Sequence, residues 1–309
     1  MKAFIGVTDF DWYSYLSTIQ GLDEVNFWQP SSSSQFKALQ PGEPFLFKLH
    51  SPRNYIVGGG FFAHSTISPV SMAWEAFAEK NGARTLKEMR IRIEKYRRTV
   101  PRPTEDYEIG CILLEQPFFL PRNQWIPSPN DWSHNIVRGK GYDTTIGEGK
   151  RVWDVVLLHL HTAAVPIVTE ERRRFGDPIL VTPRLGQGSF RIMVTDAYKR
   201  RCAVTNERTL PALEAAHIKP YMENGPHDVR NGILFRSDIH RLFDIGYVTV
   251  SEDYRFEVSR RIREEFENGR DYYALQGKHI SLPSSKDTWP DKTFIEWHQE
   301  NAYSADSAM

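Results

Sequence analysis

Residues 213–250 read LEAAHIKPYMENGPHDVRNGILFRSDIHRLFDIGYVTV, and this stretch decides the fold of the second half of the chain. Its apolar and polar pattern predicts a strand that ends at His217, a loop, a short strand at GILF and a helix from about Ser237. Asn231 and Gly232 supply turn chemistry ahead of the second strand, and Ser237 is a residue type that caps helices. We therefore expect a β-β-α unit whose polar groups converge on one face.

Three polar residues of this unit carry the side chains that phosphodiester hydrolysis needs. A neutral imidazole at His217 can take the proton of an attacking water, and His240 can bind a divalent ion. The amide of Asn231 can hold the loop and orient His217 through a hydrogen bond that fixes its tautomer. Each residue could instead have a structural role, but their order in a strand–loop–strand–helix context favours a catalytic site.

The segments CAVTN, LEAAHIKPY and DVRNGILFRSDIHRLFDIG resemble the HNH nuclease family, particularly the branch found in modification-dependent restriction enzymes. The resemblance covers about residues 195–250. It implies that His217 is the general base and that Asn231 is the middle orienting residue. It also implies that His240 binds a divalent metal, Mg²⁺ or Mn²⁺.

The sequence leaves the second metal ligand open. Many HNH enzymes carry Asp or His immediately before the base, and here that position is Ala216. Glu214 lies on the same face of the predicted strand as Ala216 and has a longer side chain, so it could replace the ligand. Asp238 is the alternative candidate.

A structural zinc site is not expected, because Cys111 and Cys202 are far apart in the chain and form no CxxC pair. Both cysteines are predicted to be buried thiols. No apolar run reaches the length that crosses a bilayer, and the start MKAFIGVTDFDW does not resemble a signal peptide. We expect a cytoplasmic protein without a membrane partner.

The remaining sequence predicts an α+β protein of two domains. Residues 1–165 form one mixed unit, 166–188 a linker, and 189–309 the nuclease unit. In the first unit, EPFLFKLHSPRNYIVGGGFFAHS is typical of a hairpin, and SPVSMAWEAFAEKNG and TLKEMRIRIEKYRR are typical of amphipathic helices. The linker is interrupted by proline and glycine and has no regular periodicity.

The charge of the chain is balanced, with 39 basic and 39 acidic residues, so its distribution matters more than its sum. Residues 84–102 carry eight basic side chains and two acidic ones. These basic side chains form either a track for phosphates or a solvated helix face, and the charge alone does not separate the two. The candidate contacts to a DNA backbone are Arg90, Lys95, Arg97 and Arg98.

The stretch VNFWQPSSSSQFKALQPGEPFLFKLHSPRNYIVGGGFFAH, with IGCILLEQPFFLP and IVRGKGYDT, resembles the EVE domain of the PUA-like superfamily over residues 1–165. The resemblance implies a β-barrel with flanking helices that binds a modified base flipped out of the duplex. Such a pocket needs aromatic walls and polar groups that read the base edge. The candidates are Trp28, Phe47, Phe61 and Trp125 for the walls and Ser31, Ser32 and Lys48 for the polar contacts. For each aromatic, core packing is the commoner role.

An EVE-like domain joined to an HNH domain resembles the EVE–HNH restriction endonucleases, which act on DNA that contains 5-methylcytosine or 5-hydroxymethylcytosine. This resemblance implies a double-stranded DNA substrate with modified cytosine. One HNH site cuts one strand, so a double-strand break needs a dimer or two binding events, and we expect a homodimer. Two alternatives stay open: an HNH nuclease of another specificity whose first domain anchors DNA, and a non-catalytic reader of modified nucleic acid.

Overall fold

The computed structural model describes residues 1–32, 34–97, 101–102, 104–163 and 186–305. The chain divides into two compact units, and the described residues up to 163 belong to the first unit and those from 186 onward to the second. The predicted linker lies outside the described residues except at 186–188, where a helix already begins at Gln187. None of the described helices is long and apolar enough to cross a bilayer.

The first unit combines helices with one mixed sheet. Its elements are β1 (Lys2–Thr8), α1 (Phe10–Leu16), β2 (Glu24–Gln29), β3 (Pro44–Leu49), β4 (Tyr55–Pro69), α2 (Val70–Phe77), α3 (Leu86–Glu94), β5 (Glu108–Phe119), β6 (Ile126–Pro127), β7 (Gly139–Asp143) and α4 (Gly147–Ala163). The strand order is β2–β5–β4–β3–β1–β7, with β6 paired to β4. β1 and β3 run parallel, and the other neighbours are antiparallel.

The sheet of the first unit is not a closed barrel. β2 and β7 are its two ends, and they do not pair with each other among the described residues. β2 packs instead against the 3₁₀ turn at Ala78–Asn81, where Nδ2 of Asn26 donates to Oδ1 of Asn81 over 2.9 Å. The α+β class is confirmed, whereas the expected PUA-like barrel is not.

The long strand β4 pairs irregularly with its neighbour β5. Its register against β5 shifts at two places, and such bulges increase the twist of a strand. Gly58, ahead of the first shift, permits a close approach of β5, because a Cβ atom at this position would lie 2.3 Å from the carbonyl oxygen of Phe118. The buried core of the unit is aromatic and includes Phe27, Phe45 and Phe47.

The second unit consists of short strands between helices. Its elements are α5 (Gln187–Ala197), β8 (Leu213–His217), β9 (Gly232–Arg236), α6 (Ser237–Asp244), β10 (Val248–Val250), β11 (Phe256–Val258), α7 (Arg261–Phe266), α8 (Arg270–Tyr273) and α9 (Lys292–Asn301). β8 and β9 form an antiparallel hairpin, and α6 follows β9 directly, which confirms the predicted β-β-α order.

The start of α6 differs from the prediction in one detail. Ser237 is the first helical residue, whereas the N-cap is Arg236, which makes no side-chain capping bond. The guanidinium of Arg236 instead contacts Asp238 in the first turn through bonds of 2.6 and 2.7 Å. The predicted Ser237 cap is therefore wrong, because β9 continues to Arg236 and Ser237 is already the first residue of the helix.

Candidate active site

β8 and α6 bring four titratable side chains together. Glu214 and His217 lie on β8, and His240 and Asp244 lie one helical turn apart on α6. His240 connects the two elements, because its Nδ1 lies 2.6 Å from Oε2 of Glu214 and its Nε2 lies 3.3 Å from Oδ2 of Asp244. The charges of His240 and Asp244 both act on the pKa of His217, so the four groups form one site.

A glycine at the start of β9 allows α5 to pack close to this site. A Cβ atom on Gly232 would lie 2.4 Å from Cγ2 of Val194 and 2.9 Å from the ring of Phe190, both on α5. Gly232 is also the register partner of His217 in the hairpin. The ring of Phe190 consequently stacks on the imidazole of His217, with centroids 3.8 Å apart and planes at 12°.

His217 is held as a neutral imidazole. Burial lowers its pKa to about 4, and the electrostatic interactions with His227 and His240 act in the same direction, against the opposing charge of Asp244. Its Nε2 lies 2.9 Å from Nδ1 of His227. A histidine of this kind is unprotonated at neutral pH and can accept a proton.

Asn231 is fully buried and fastens the loop between the two strands. Its Oδ1 accepts from the backbone N–H of Lys219, and its Nδ2 donates to the carbonyl oxygens of Lys219 and Pro226, each over 2.9 Å. The predicted role in holding the loop agrees with these bonds. The predicted hydrogen bond to His217 is absent among the described residues, where both N–H groups of the amide donate to loop carbonyl oxygens and its oxygen accepts from the loop backbone.

The donors around His240 suit a hard divalent cation, although the described residues contain no group of three or more His, Cys, Asp or Glu side chains arranged to hold a metal ion. Glu214 and Asp244 are about half exposed and offer carboxylate oxygens on either side of the imidazole. Mg²⁺ usually keeps several waters and takes one or two carboxylates together with substrate phosphate, so two protein ligands suffice. The residues present therefore fit the expected cation.

The pKa of His240 reflects these two carboxylates. Burial lowers it, but the hydrogen bonds and charges of Asp244 and Glu214 outweigh burial and raise it above the ordinary value. Asp238, the other candidate ligand, is engaged elsewhere. It pairs with Arg236 and accepts a hydrogen bond from Tyr272 over 3.2 Å, and these contacts hold its pKa below the usual range.

The first unit contains a cavity of about 680 Å³. Three of the seven predicted base-binding residues line it, namely Trp28, Ser31 and Ser32. The indole Nε1 of Trp28 donates to the carbonyl oxygen of Asn81 over 3.0 Å, which fixes the orientation of the ring. The lining has further polar residues that no motif in the sequence indicates, and they include Asp9, His50, Tyr96 and Arg138.

The other four predicted base-binding residues lie elsewhere. Phe47 is fully buried in the aromatic core, and Phe61 packs against a separate apolar cluster. Lys48 is also buried, and its Nζ donates to the carbonyl oxygen of Leu49 and to the Asn54 side chain. Trp125 donates its indole N–H to the carbonyl oxygen of Leu120 and the hydroxyl of Tyr13 beside a different, smaller pocket.

The four residues predicted to contact the DNA backbone also differ in their surroundings. Arg90 donates to the carbonyl oxygen of Glu105, and Arg97 to that of Pro30, so both guanidinium groups hold neighbouring backbone. Lys95 is exposed just after α3. Arg98 lies outside the described residues.

Two residues of the active site were not anticipated from the sequence. Asp244 follows His240 at a spacing of four on a predicted helix, and this spacing could have identified it. His227 lies in the loop, where no periodicity indicates which way a side chain points. Only the fold shows that it meets His217.

Residues 202–251 match the protein-family model described as HNH endonuclease. The chain therefore carries an HNH endonuclease domain, which spans the β-β-α unit and its three predicted catalytic residues. No curated protein matches the chain. Among solved structures, a modification-dependent TagI restriction endonuclease is similar, with 12% sequence identity over 97% of this chain and 82% of that chain and a TM-score of 0.28. A likeness at this TM-score does not establish a shared fold.

Proposed function

We propose that this protein is a metal-dependent DNA endonuclease of the restriction type that cuts DNA containing modified cytosine. The observation that carries the nuclease function is the neutral His217 beside His240 and its carboxylates, within the segment that matches the HNH family. No other described cluster combines a neutral base with potential cation ligands on a β-β-α unit.

Each group has a defined task in phosphodiester hydrolysis. His217 removes the proton of the attacking water, and a positioned general base typically contributes about 10²–10⁴-fold to the rate. Its low pKa keeps the imidazole ready to accept that proton at neutral pH. A divalent ion held by His240 with Asp244 or Glu214 would supply positive charge for the scissile phosphate and the leaving oxygen.

The substrate proposal rests on the first unit and on its resemblance to EVE domains. The cavity is large enough for a small ligand and has the aromatic ring of Trp28 in its wall. Ser31 and Ser32 place hydroxyl groups in the same lining, where they can contact the edge of a flipped base. We propose that this cavity receives the modified cytosine and that two copies of the chain act together, because one HNH site cuts one strand.

The test uses matched plasmids that carry unmodified cytosine, 5-methylcytosine or 5-hydroxymethylcytosine, each incubated with Mg²⁺, with Mn²⁺ or with excess chelator. We expect cleavage of modified plasmid only, and only with metal. Cleavage of all plasmids alike would support an HNH nuclease of another specificity, and binding without any cleavage would support a non-catalytic reader.

The first prediction concerns the base itself. His217→Ala removes the proton acceptor but no phosphate contact, so we expect cleavage to be lost while affinity for DNA stays close to that of the wild type. Cleavage rates and gel-shift titrations on the same DNA measure the two effects separately. Near-normal cleavage by this variant would exclude His217 as the base.

A further inference from the structure

The described side chains form one hydrogen bond with the imidazole of His217, and it comes from a second histidine. Nε2 of His217 and Nδ1 of His227 lie 2.9 Å apart. We propose that His227 is a positioning residue that accepts a hydrogen bond from Nε2–H of His217 and so directs the lone pair of Nδ1 toward the attacking water. This inference rests on the nuclease function proposed above and adds a specific role for a residue outside the His–Asn–His pattern.

The direction of this hydrogen bond decides whether His217 can act as a base. A neutral imidazole has one N–H donor and one lone pair. If His217 donates from Nε2, its lone pair is on Nδ1 and can take the proton of water. If His227 donates instead, Nε2 of His217 already accepts a hydrogen bond and Nδ1 carries the proton. Only the first arrangement leaves His217 with a nitrogen that can receive a proton.

The loop holds His227 in place for this task. The ring of Tyr221 stacks on the imidazole of His227, with centroids 4.7 Å apart and planes at 8°. The amide of Asn231 binds the carbonyl oxygen of Pro226, the residue immediately before His227. Asn231 therefore orients the base indirectly, by fixing the loop that carries His227, and this explains why its amide does not need to reach His217.

An imidazole acceptor affects the base differently from a carboxylate. The titratable groups that act on His217 are His227 from the loop and His240 and Asp244 from α6. A carboxylate at position 227 would stabilise the protonated form of His217 and raise its pKa. The imidazole of His227 carries no negative charge, so it can fix the tautomer without raising the pKa of His217.

Three variants at one position separate the hydrogen bond from packing. His227→Phe keeps an aromatic ring against Tyr221 but has no acceptor, whereas His227→Asn supplies an acceptor without the ring. We expect His227→Phe to lower kcat by about 10–100-fold, as loss of a supporting contact typically does, with little change in KM. We expect His227→Asn to retain a kcat close to the wild-type value.

The third variant is tested by the pH dependence of kcat. A purely structural role of His227 would not shift this dependence in a defined direction. In His227→Asp the acid limb of kcat should shift to higher pH by about one unit or more, because the carboxylate favours protonated His217. Wild-type kcat in His227→Phe, or equal losses in His227→Phe and His227→Asn with an unmoved acid limb in His227→Asp, would overturn the proposal. Melting temperatures identify any variant that is unfolded.

His217→Ala keeps this test distinct from the test of the proposed function. If His217→Ala still cleaves DNA, His217 is not the general base and the proposed nuclease mechanism is wrong. Loss of cleavage in His217→Ala together with wild-type behaviour of all three His227 variants would overturn only the role of His227.

Discussion

Two aspartates of α6 differ in what their surroundings allow them to do. Asp238, in the first turn, is held by Arg236 and Tyr272, so its carboxylate already has partners. Asp244, at the end of the helix, lies 3.3 Å from Nε2 of His240 and is about half exposed. An ion at Nε2 of His240 would replace the contact between His240 and Asp244 and would have the Asp244 carboxylate within reach. This difference makes Asp244 the better candidate for a second ligand.

The matched pair Asp244→Asn and Asp238→Asn tests this assignment. We expect Asp244→Asn to weaken Mn²⁺ binding and to lower the cleavage rate by about 10–100-fold. Asp238→Asn should bind Mn²⁺ as the wild type does and lose about 1 kcal/mol of stability or less, since its ion pair is partly exposed. Calorimetric titration with Mn²⁺ measures the affinity. The reverse pattern would assign the metal to Asp238, and an unaffected Asp244→Asn would leave Glu214 as the partner of His240.

A buried histidine outside the active site, His298, is expected to make the stability of the second unit depend on pH. His298 is buried, its Nε2 donates to the carbonyl oxygen of Phe243 and its Nδ1 faces the hydroxyl of Thr249. Burial lowers its pKa from 6.5 to about 4. Between these two values the unfolded chain binds the proton and the folded chain does not, so stability is lost as the pH falls.

His298→Gln removes this titration and keeps a polar side chain. We expect the wild type to lose on the order of 3 kcal/mol more than the variant between neutral and acid pH, at about 1.4 kcal/mol per pKa unit. Urea unfolding of both proteins at a series of pH values gives the difference in their free energies of unfolding. The contribution of His217 cancels in this difference, because both proteins contain it. Parallel pH dependences would show that His298 is not neutral in the fold.

At the scale of elements, the sequence was sufficient to predict the order of strands and helix that carry the site. It was not sufficient to predict the contacts between their side chains. Alternation and turn residues correctly predicted two strands and a helix between residues 213 and 244, because these signals are local. The hydrogen bonds of Asn231 were not predictable, since they depend on the path of the loop backbone. The position of His227 next to His217 depends on the same loop backbone and was not predictable for the same reason.

Gly232 shows how one element constrains the next. Gly232→Ala would put a methyl group against Val194 and Phe190, and overpacking of this kind costs about 1–3 kcal/mol. Displacement of Phe190 should also disturb the ring of His217 and lower the cleavage rate. Gly141→Ala is the control, because a Cβ atom there meets only one atom, at 4.0 Å. Equal stability and activity of the two variants would show that α5 adjusts without cost.

At the scale of the whole molecule, the hardest feature to predict was which aromatic residues face the cavity. Trp28 and Phe47 lie on β2 and β3 of the same sheet, yet Trp28 lines the cavity and Phe47 is buried in the core. A strand that lines a cavity and a strand that packs in the core have the same residue composition and the same alternation of apolar residues. The distinction depends on contacts between distant segments, such as the bond from the indole N–H of Trp28 to the carbonyl oxygen of Asn81 in the turn at Ala78–Asn81.

The substrate proposal is best tested on the full chain with His217→Ala as the background, so that DNA is bound but not cut. Adding Trp28→Ala should erase the preference for modified DNA, because base stacking on an aromatic ring contributes about 1–3 kcal/mol. Adding Trp125→Ala should leave the preference intact, since Trp125 lies beside a different pocket.

Binding to paired modified and unmodified oligonucleotides at two salt concentrations completes this test. Overall affinity should fall with salt as phosphate contacts release counterions, whereas the preference should persist because the cytosine substituent is uncharged. Melting temperatures show whether both tryptophan variants remain folded. If the His217→Ala parent binds both DNAs equally at each salt concentration, the first unit anchors DNA without reading its modification. The protein is then an HNH nuclease whose specificity arises elsewhere.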